Sequence, residues 1–495
     1  MSDAPLYGEA PLHLEPRLDR RPAALLRSAA FLHTLVDALG SPLNVLLPQQ
    51  IADNAEGFDA VLRRHRLTGR LYFAHKANRS SALVRRLTTT GAGLDAASLG
   101  ELQHALASGF TADRIMATGP KEPEFLWLAA RCGVIVNADG PGELAAAARL
   151  VRACGLAPLR VLLRLSEFES SGARMLSRRS RFGTPVKELG GLLDVLERYR
   201  DALEPVGVGY HLDTVGLDEK ATALEGCLRA ADELRIRGFR PFAVDVGGGF
   251  GVNYLAHAAQ WERYTAELTQ AVLGRRAPLS WGGYGYGLRA ENGVLRGSLG
   301  LYPAHRPVAG PAYLDELLSR PAPGLGRPLG TLLLESLCEL YAEPGRALVD
   351  QCGITLGRVV EVRDSGCGEP YLVRLAMNAR DVSLEEHGVL LDPVPVPRDR
   401  GGEPAGGAVG VHLVGNLCLE SDLITRRTVF LPALPRPGDL LAFANTAGYC
   451  MDFTATRAQQ QPEARKVAVW EEGGSWRWRL DEEYWPLDET GEQQA

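Results

Sequence analysis

Leu71-Tyr72-Phe73-Ala74-His75-Lys76-Ala77-Asn78 opens with four apolar residues and then reaches a lysine. An amphipathic stretch from Ser80 to Thr90 follows, and Gly91 closes it. A short apolar run leading into an amphipathic run that stops at glycine predicts a β-strand followed by a helix. The rhythm recurs downstream. Arg114-Ile115-Met116-Ala117 leads into residues 122–132 and Gly133, and Val134-Ile135-Val136-Asn137 leads into residues 142–154 and Gly155. Val161-Leu162-Leu163-Arg164 predicts another strand. Lys220 to Arg237 predicts a helix with Leu224, Cys227, Leu228 and Ala231 on one side, and the strand Phe242-Ala243-Val244-Asp245 comes next. Strands alternating with helices imply βα units and a parallel sheet. That is an α/β architecture, either a closed eight-stranded barrel or a doubly wound open sheet.

After about residue 355 the pattern changes. Residues 358–362, 371–375, 411–417, 440–444, 466–470 and 476–480 all read as strands, separated by Pro- and Gly-rich turns that include Pro393 to Gly410. This predicts an all-β C-terminal domain. The expected division is an N-terminal segment 1–45 packing with the β domain, a β/α domain 46–350, a β domain 351–485 and a tail 486–495. Residues 275–330, with Gly282-Gly283-Tyr284-Gly285-Tyr286-Gly287 at their centre, read as a long loop or insertion, a class of segment that is often functional or mobile.

Composition excludes several classes. The net charge of -6 and scattered Lys and Arg give no reason to expect nucleic-acid binding. The densest basic run, Arg178-Arg179-Ser180-Arg181, reads as a solvated loop. No run of about 18 apolar residues predicts a membrane span, and Met1 to Pro16 lacks the apolar core of a secretory signal. The eight cysteines are dispersed and form no CxxC pair, which argues against a structural metal site or a disulfide framework and makes a reducing cytoplasm the expected compartment.

Four features carry candidate chemistry, and each has a plain structural reading beside it. Lys76 ends a strand that in a barrel points to the reactive face, although a strand-end lysine is more often simply solvated. Gly247-Gly248-Gly249 closes an apolar strand, where free backbone N–H groups converge on an anion or merely turn the chain. Glu343-Pro344-Gly345-Arg346 sets an acid and a base around a turn, which is also the pattern of a surface ion pair. Cys418, in Gly415-Asn416-Leu417-Cys418-Leu419-Glu420-Ser421-Asp422, is either a small buried hydrophobe or an exposed thiol in acidic company. The G-x-G-x-x-G of a first dinucleotide-binding βα unit is not found, which disfavours a Rossmann enzyme.

In combination these segments resemble the fold-type III pyridoxal-phosphate enzymes with an alanine-racemase-like barrel, in their ornithine/diaminopimelate decarboxylase branch. Ala74-His75-Lys76-Ala77-Asn78 resembles the lysine motif, and residues 91–102 resemble the next strand-to-helix segment. Tyr210-His211-Leu212-Asp213-Thr214 resembles His-x-Gly-Ser, with Asp for Gly and Thr for Ser. Asp245 to Phe250, Glu343 to Arg346, and Gly438-Asp439-Leu440-Leu441 with Ala447-Gly448-Tyr449 complete the series in family order. The resemblance implies a (β/α)8 TIM-type barrel plus a C-terminal β domain, with pyridoxal 5'-phosphate as cofactor and an amino-acid decarboxylase (carboxy-lyase) activity. It implies that Lys76 forms the Schiff base and that His211 stacks on the pyridine ring. Thr214, Gly247, Gly248, Gly249, Arg346 and Tyr449 would hold the phosphate, and Asp95 and Arg164 would stand behind the lysine. Glu343 would pair with the pyridine nitrogen and stabilise the quinonoid, which favours decarboxylation over racemisation. Cys418 would reprotonate the substrate carbon from the partner subunit, so a homodimer with shared active sites is implied.

The departures cluster in substrate recognition. Leu419 stands where relatives acting on basic amino acids carry an acid directly after the cysteine, although Glu420, Asp422 and Asp392 are candidate substrate-binding acids. Ala379-Arg380-Asp381-Val382 replaces the Arg-Pro-x-Leu-Tyr segment of diaminopimelate decarboxylases. The expected substrate is therefore an altered amino acid or amino-acid derivative, uncharged or carrier-linked, with retention of a basic substrate left open. A racemase or epimerase on the same scaffold, and a non-catalytic cofactor-binding homologue, are the alternatives.

Overall fold

The computed structural model of the chain describes residues 11–168, 180–212, 214–366, 368–398 and 407–486. Asp213, half of the Arg178–Arg181 run, part of the Pro393–Gly410 turn and the C-terminal tail lie outside the described residues. The chain divides into two compact units, one of residues 51–251, 308–348 and 485–495, the other of residues 1–50, 252–307 and 349–484.

The first unit is a parallel barrel. Its strands are β1 (Gly69–Ala74), β2 (Gly93–Ala96), β3 (Ile115–Ala117), β4 (Ile135–Ala138), β5 (Leu159–Ser166), β6 (Leu203–Tyr210), β7 (Ala243–Asp245) and β8 (Glu339–Ala342). Each pairs in parallel with the next, and β8 returns to β1 through Leu340↔Gly69. Pairing of β4 with β5, at Val136↔Val161, closes the ring and excludes the open doubly wound sheet. One buried layer of the interior takes Tyr72, Met116, Ile135, Leu162, Val206, Ala243 and Tyr341 from seven of the eight strands, as a filled barrel requires. The strands press closely together. A Cβ on Gly207 would lie 2.1 Å from the Ala243 carbonyl oxygen, so only glycine fits there. Outer helices start on matched caps: Ser80 accepts from the Leu83 N–H (3.1 Å) and Ser98 from the Glu101 N–H (3.2 Å).

The second unit is built on a nine-stranded, mostly antiparallel sheet. Leu43–Leu46 is one of its inner strands, between Gly353–Arg363 and Arg465–Glu472. Leu25, Leu32, Leu35 and Val36 of the preceding helices fill the same core as Leu356, Leu440 and Val467. The segment expected as a long loop is partly ordered. Leu288–Glu291 and Val294–Gly297 form a hairpin around Asn292 and Gly293, both with positive φ, and Gly310–Ser319 and Leu329–Glu335 are helices of the barrel unit.

Arg427 is fully buried in this second unit. It bonds Asp392 (2.6 Å), and Glu385 lies at 3.9 Å. Tyr286 of the Gly-rich segment donates its hydroxyl to Glu385 (3.2 Å). Arg427→Met should leave two buried carboxylates without their cation and cost about 3–5 kcal/mol. A urea-unfolding midpoint within error of the parent would contradict that reading.

Among the described residues no helix is long and apolar enough to cross a membrane, and no group of three or more His, Cys, Asp or Glu could hold a metal ion.

Candidate active site

Five ionisable side chains gather at the C-terminal ends of barrel strands, where barrels place their chemistry. Lys76 sits on the single 3-10 turn His75–Ala77 directly after β1 and is exposed. Buried anchors flank it. Asn78 donates its backbone N–H to the His75 carbonyl (3.0 Å), and its side chain accepts from Ser80 (2.9 Å). His75 bonds His104 (2.7 Å) and faces Glu101 (3.3 Å), which ties the lysine turn to the neighbouring helix.

Asp95 ends β2, beside Ala74 in the register. It is buried and accepts from the Thr118 hydroxyl (2.5 Å). Burial and the charge of Glu343 push its carboxyl up to about 8, against the opposing ammonium of Lys76. Asp245 ends β7 and accepts from the Gly247 N–H (2.9 Å). Burial and Glu343 push it well above the usual carboxylate range as well.

Glu343 follows β8 and is 4% exposed. Burial opposes its ionisation, but the His211 hydrogen bond, the Asp245 carboxyl and the Lys76 charge prevail and hold it at about 2. It is the anion of the cluster. His211 follows β6, with Nδ1 3.0 Å from Glu343 Oε2. Burial pushes this imidazole below its ordinary value although Glu343 pulls the other way, so it is neutral. An anionic carboxylate only accepts, so Nδ1 carries the hydrogen. The Gly248 N–H, 3.3 Å from the same nitrogen, then finds no acceptor there. The other carboxylate oxygen, Glu343 Oε1, is buried and meets no N–H or hydroxyl donor among the described residues, while the Asp245 carboxyl is hydrogen-bonded to this glutamate.

The glycine loop after β7 lies against these groups. A Cβ on Gly247 would lie 2.3 Å from the Tyr210 carbonyl oxygen, and one on Gly248 2.9 Å from both the Glu343 carbonyl oxygen and His211 Cε1. Gly249, at φ 78°, backs onto the Thr214 carbonyl oxygen. The Glu343 N–H donates to the Gly247 carbonyl (2.9 Å), which joins the Glu343–Arg346 turn to the loop. Arg164 of β5 faces Asp139 (3.4 Å) and Phe182, and its charge adds to the lowering at His211.

The remaining residues singled out from the sequence belong to the second unit. Cys418 is exposed, and its N–H donates to the Gln459 side chain (2.9 Å). Tyr449, at φ 69°, packs edge-on to Phe453. Glu420 is exposed. Two proposed substrate acids are otherwise engaged. Asp392 is the buried partner of Arg427 and also accepts from the Leu14 N–H (2.7 Å). Asp422 accepts from the Ala379 and Leu417 N–H groups (both 2.8 Å) and so organises the cysteine loop. Neither has a free carboxylate for a ligand, because each offsets buried groups of its own unit.

The sequence reading missed Asp245 as a participant and Lys220 altogether. Lys220 is fully buried behind the glycine loop. Its signal was present, since it stands in register with Leu224, Cys227 and Ala231 on the buried stripe of the Leu217–Ile236 helix.

Comparison with known proteins accords with this geometry. Residues 49–293 match the family described as "Pyridoxal-dependent decarboxylase, pyridoxal binding domain". An uncharacterized protein, y4yA, of Sinorhizobium fredii is 30% identical over 436 residues, 88% of each chain. The diaminopimelate decarboxylase of Methanothermobacter thermautotrophicus is 26% identical, again over 88% of each chain. In fold, the chain is similar to the diaminopimelate decarboxylase of Helicobacter pylori solved with L-lysine, with TM-score 0.65, 18% identity and 91% and 95% of the two chains covered. The lysine-bearing barrel, the glycine cradle and the β domain together with these relatives lead to one assignment: the chain belongs to the fold-type III pyridoxal-phosphate-dependent decarboxylases, carboxy-lyases of amino acids.

Proposed function

We propose that the chain decarboxylates an amino acid with an uncharged distal end, through Lys76, Glu343 and Cys418. The observation that carries this is the buried, ionised Glu343 whose Oε1 meets no N–H donor among the described residues. A cationic N–H donor is what that oxygen lacks, and the protonated pyridine nitrogen of pyridoxal phosphate is such a donor. A glycine cradle that any Cβ would fill is a second sign of fit. When bound, the cofactor supplies an electron-poor ring that takes up the electron pair left as CO₂ departs.

The protein's own groups do the rest. Lys76 Nζ is the nucleophilic nitrogen that would hold the cofactor through its aldehyde carbon. Glu343 keeps the ring nitrogen protonated, which an arginine at that place would not. Neutral His211 offers a flat face to the ring. The Gly248 N–H, Thr214 and Arg346 would hold the phosphate, and Asp95 and Arg164 would set the lysine side of the pocket. Cys418 Sγ returns a proton to the α-carbon, reaching it from the partner subunit of a two-fold dimer.

The uncharged substrate follows from which acids remain available. The relatives named for diaminopimelate and ornithine act on amino acids with a distal ammonium. Here Leu419 follows the cysteine, and Asp392 and Asp422 are consumed internally. Only Glu420 of the three candidate acids is exposed. A panel of neutral and cationic amino acids assayed for CO₂ release tests this, and preference for lysine, ornithine or diaminopimelate would refute it.

Cys418→Ala should lower kcat by about 10²-fold with cofactor absorbance unchanged. Mixing it with an equal amount of Lys76→Ala should restore roughly a quarter of parental activity, the share expected of mixed dimers with one intact site. No recovery after subunit exchange would count against a shared site.

A further inference from the structure

The chain contains five lysines among its 54 Lys and Arg residues: Lys76, Lys121, Lys187, Lys220 and Lys466. Lys187 is exposed. Lys121 is buried, but Glu143 meets it at 2.8 Å. Lys466 is ion-paired with Asp452. Lys220 is different. It is fully buried, and among the described residues no carboxylate lies within ion-pair distance of it. Its ammonium donates to the Gly248 carbonyl and is otherwise surrounded by the rings of Phe250 (5.3 Å), Tyr210 (5.9 Å) and Tyr313 (6.0 Å).

The placement is unfavourable on three counts. A buried cation without an anion is expensive. Lys220 lies in the first turn of the Leu217–Ile236 helix, where the macrodipole is positive and disfavours a cation. Burial pushes the ammonium down to about 8, and the carboxyl groups of Asp245 and Glu343 offset this only in part. Methionine would fill the same volume with none of these costs.

The position of the ammonium gives a reason for keeping it. A Cβ on Gly249 would lie 3.3 Å from Lys220 Nζ, so the charge presses on the rear of the glycine loop. Burial pushes the Asp95 and Asp245 carboxyls up, while Glu343 is held down in a cluster that also holds Lys76. A dianion seated on the glycine loop would meet the Lys220 ammonium from behind.

We propose that Lys220 is a positioning residue that supplies buried counter-charge to the cofactor phosphate from behind the glycine loop and fixes the loop through the Gly248 carbonyl. The inference rests on the pyridoxal-phosphate reading. In the apo protein no carboxylate among the described residues contacts the ammonium, and a bound phosphate would add the missing counter-charge.

The test compares Lys220→Met and Lys220→Gln with the parent, measuring dissociation constants for pyridoxal phosphate and for pyridoxal, together with the melting temperature of the apo protein. Lys220→Met should bind pyridoxal phosphate at least about tenfold more weakly, bind pyridoxal as the parent does, and melt no lower than the parent when apo. Lys220→Gln, which keeps a donor to Gly248, guards against a folding failure and should show the same selective loss. Equal weakening toward both ligands, or unchanged phosphate affinity, would overturn the proposal. So would a fall in apo melting temperature that Asp213→Asn reproduces, because Lys220 would then be a structural partner of Asp213. A parent protein that binds neither ligand would instead refute the cofactor reading itself.

Discussion

Lys76→Ala should lose turnover by at least about 10³-fold, the scale on which removal of a covalent catalytic group is felt. It should also fail to retain cofactor through borohydride reduction and denaturation. The lysine is exposed on a short turn, so its removal leaves no buried cavity and the folded state should survive. Melting temperature is the control. An inactive but equally stable protein locates the loss in chemistry. An added small primary amine should restore part of the activity, because what is missing is a nucleophilic nitrogen. Undiminished CO₂ release by Lys76→Ala would remove the lysine from the mechanism.

Glu343→Gln carries the second large effect. Glutamine has nearly the same shape, so the contact with His211 can persist while the charge is removed. The ring nitrogen then loses the carboxylate that keeps it protonated. A fall in kcat of about 10²–10³-fold is expected, comparable with the loss of one preorganised electrostatic contact in other active sites. Cofactor affinity should change much less, because the phosphate contacts are elsewhere. Glu343 is held near 2 in the native fold, while its ordinary value is higher, so it stabilises the folded protein at neutral pH and that contribution is lost as pH falls through the acid range toward 2. Glu343→Gln should accordingly flatten the acid limb of the stability profile. A variant with parental kcat would show that the ring needs no carboxylate here.

Much of the fold was readable because its signals are local. Tyr371–Leu375 and Leu440–Ala444 alternate or run apolar between strong turn residues, and both form strands over those residues. β6 and β8 escaped notice for opposite reasons. Pro205, Gly207 and Gly209 interrupt the apolar pattern of β6, yet two of those glycines are needed for close strand contact. β8 is four residues long and begins with Glu339. Barrel closure was legible through the resemblance in motif order but not from local pattern, since it depends on hydrogen bonds such as those between β4 and β5 that no local pattern specifies. In the site, motif order identified the residues at the strand ends but not the availability of acids. Asp392 and Asp422 look like ligands in sequence, and only their distant partners Arg427 and Ala379 show otherwise. Lys220 was legible as a cation interrupting an apolar helix stripe, but its burial comes from Tyr210, Phe250 and Tyr313, none of them on its own helix.

Borohydride reduction of the cofactor-loaded protein, followed by peptide mapping, bears most directly on the covalent claim. With only five lysines to distinguish, the assignment is unambiguous. The expected result is one modified peptide, carrying a reduced pyridoxyl phosphate on Lys76. Modification of Lys121, Lys187, Lys220 or Lys466 instead, or of none, would contradict it.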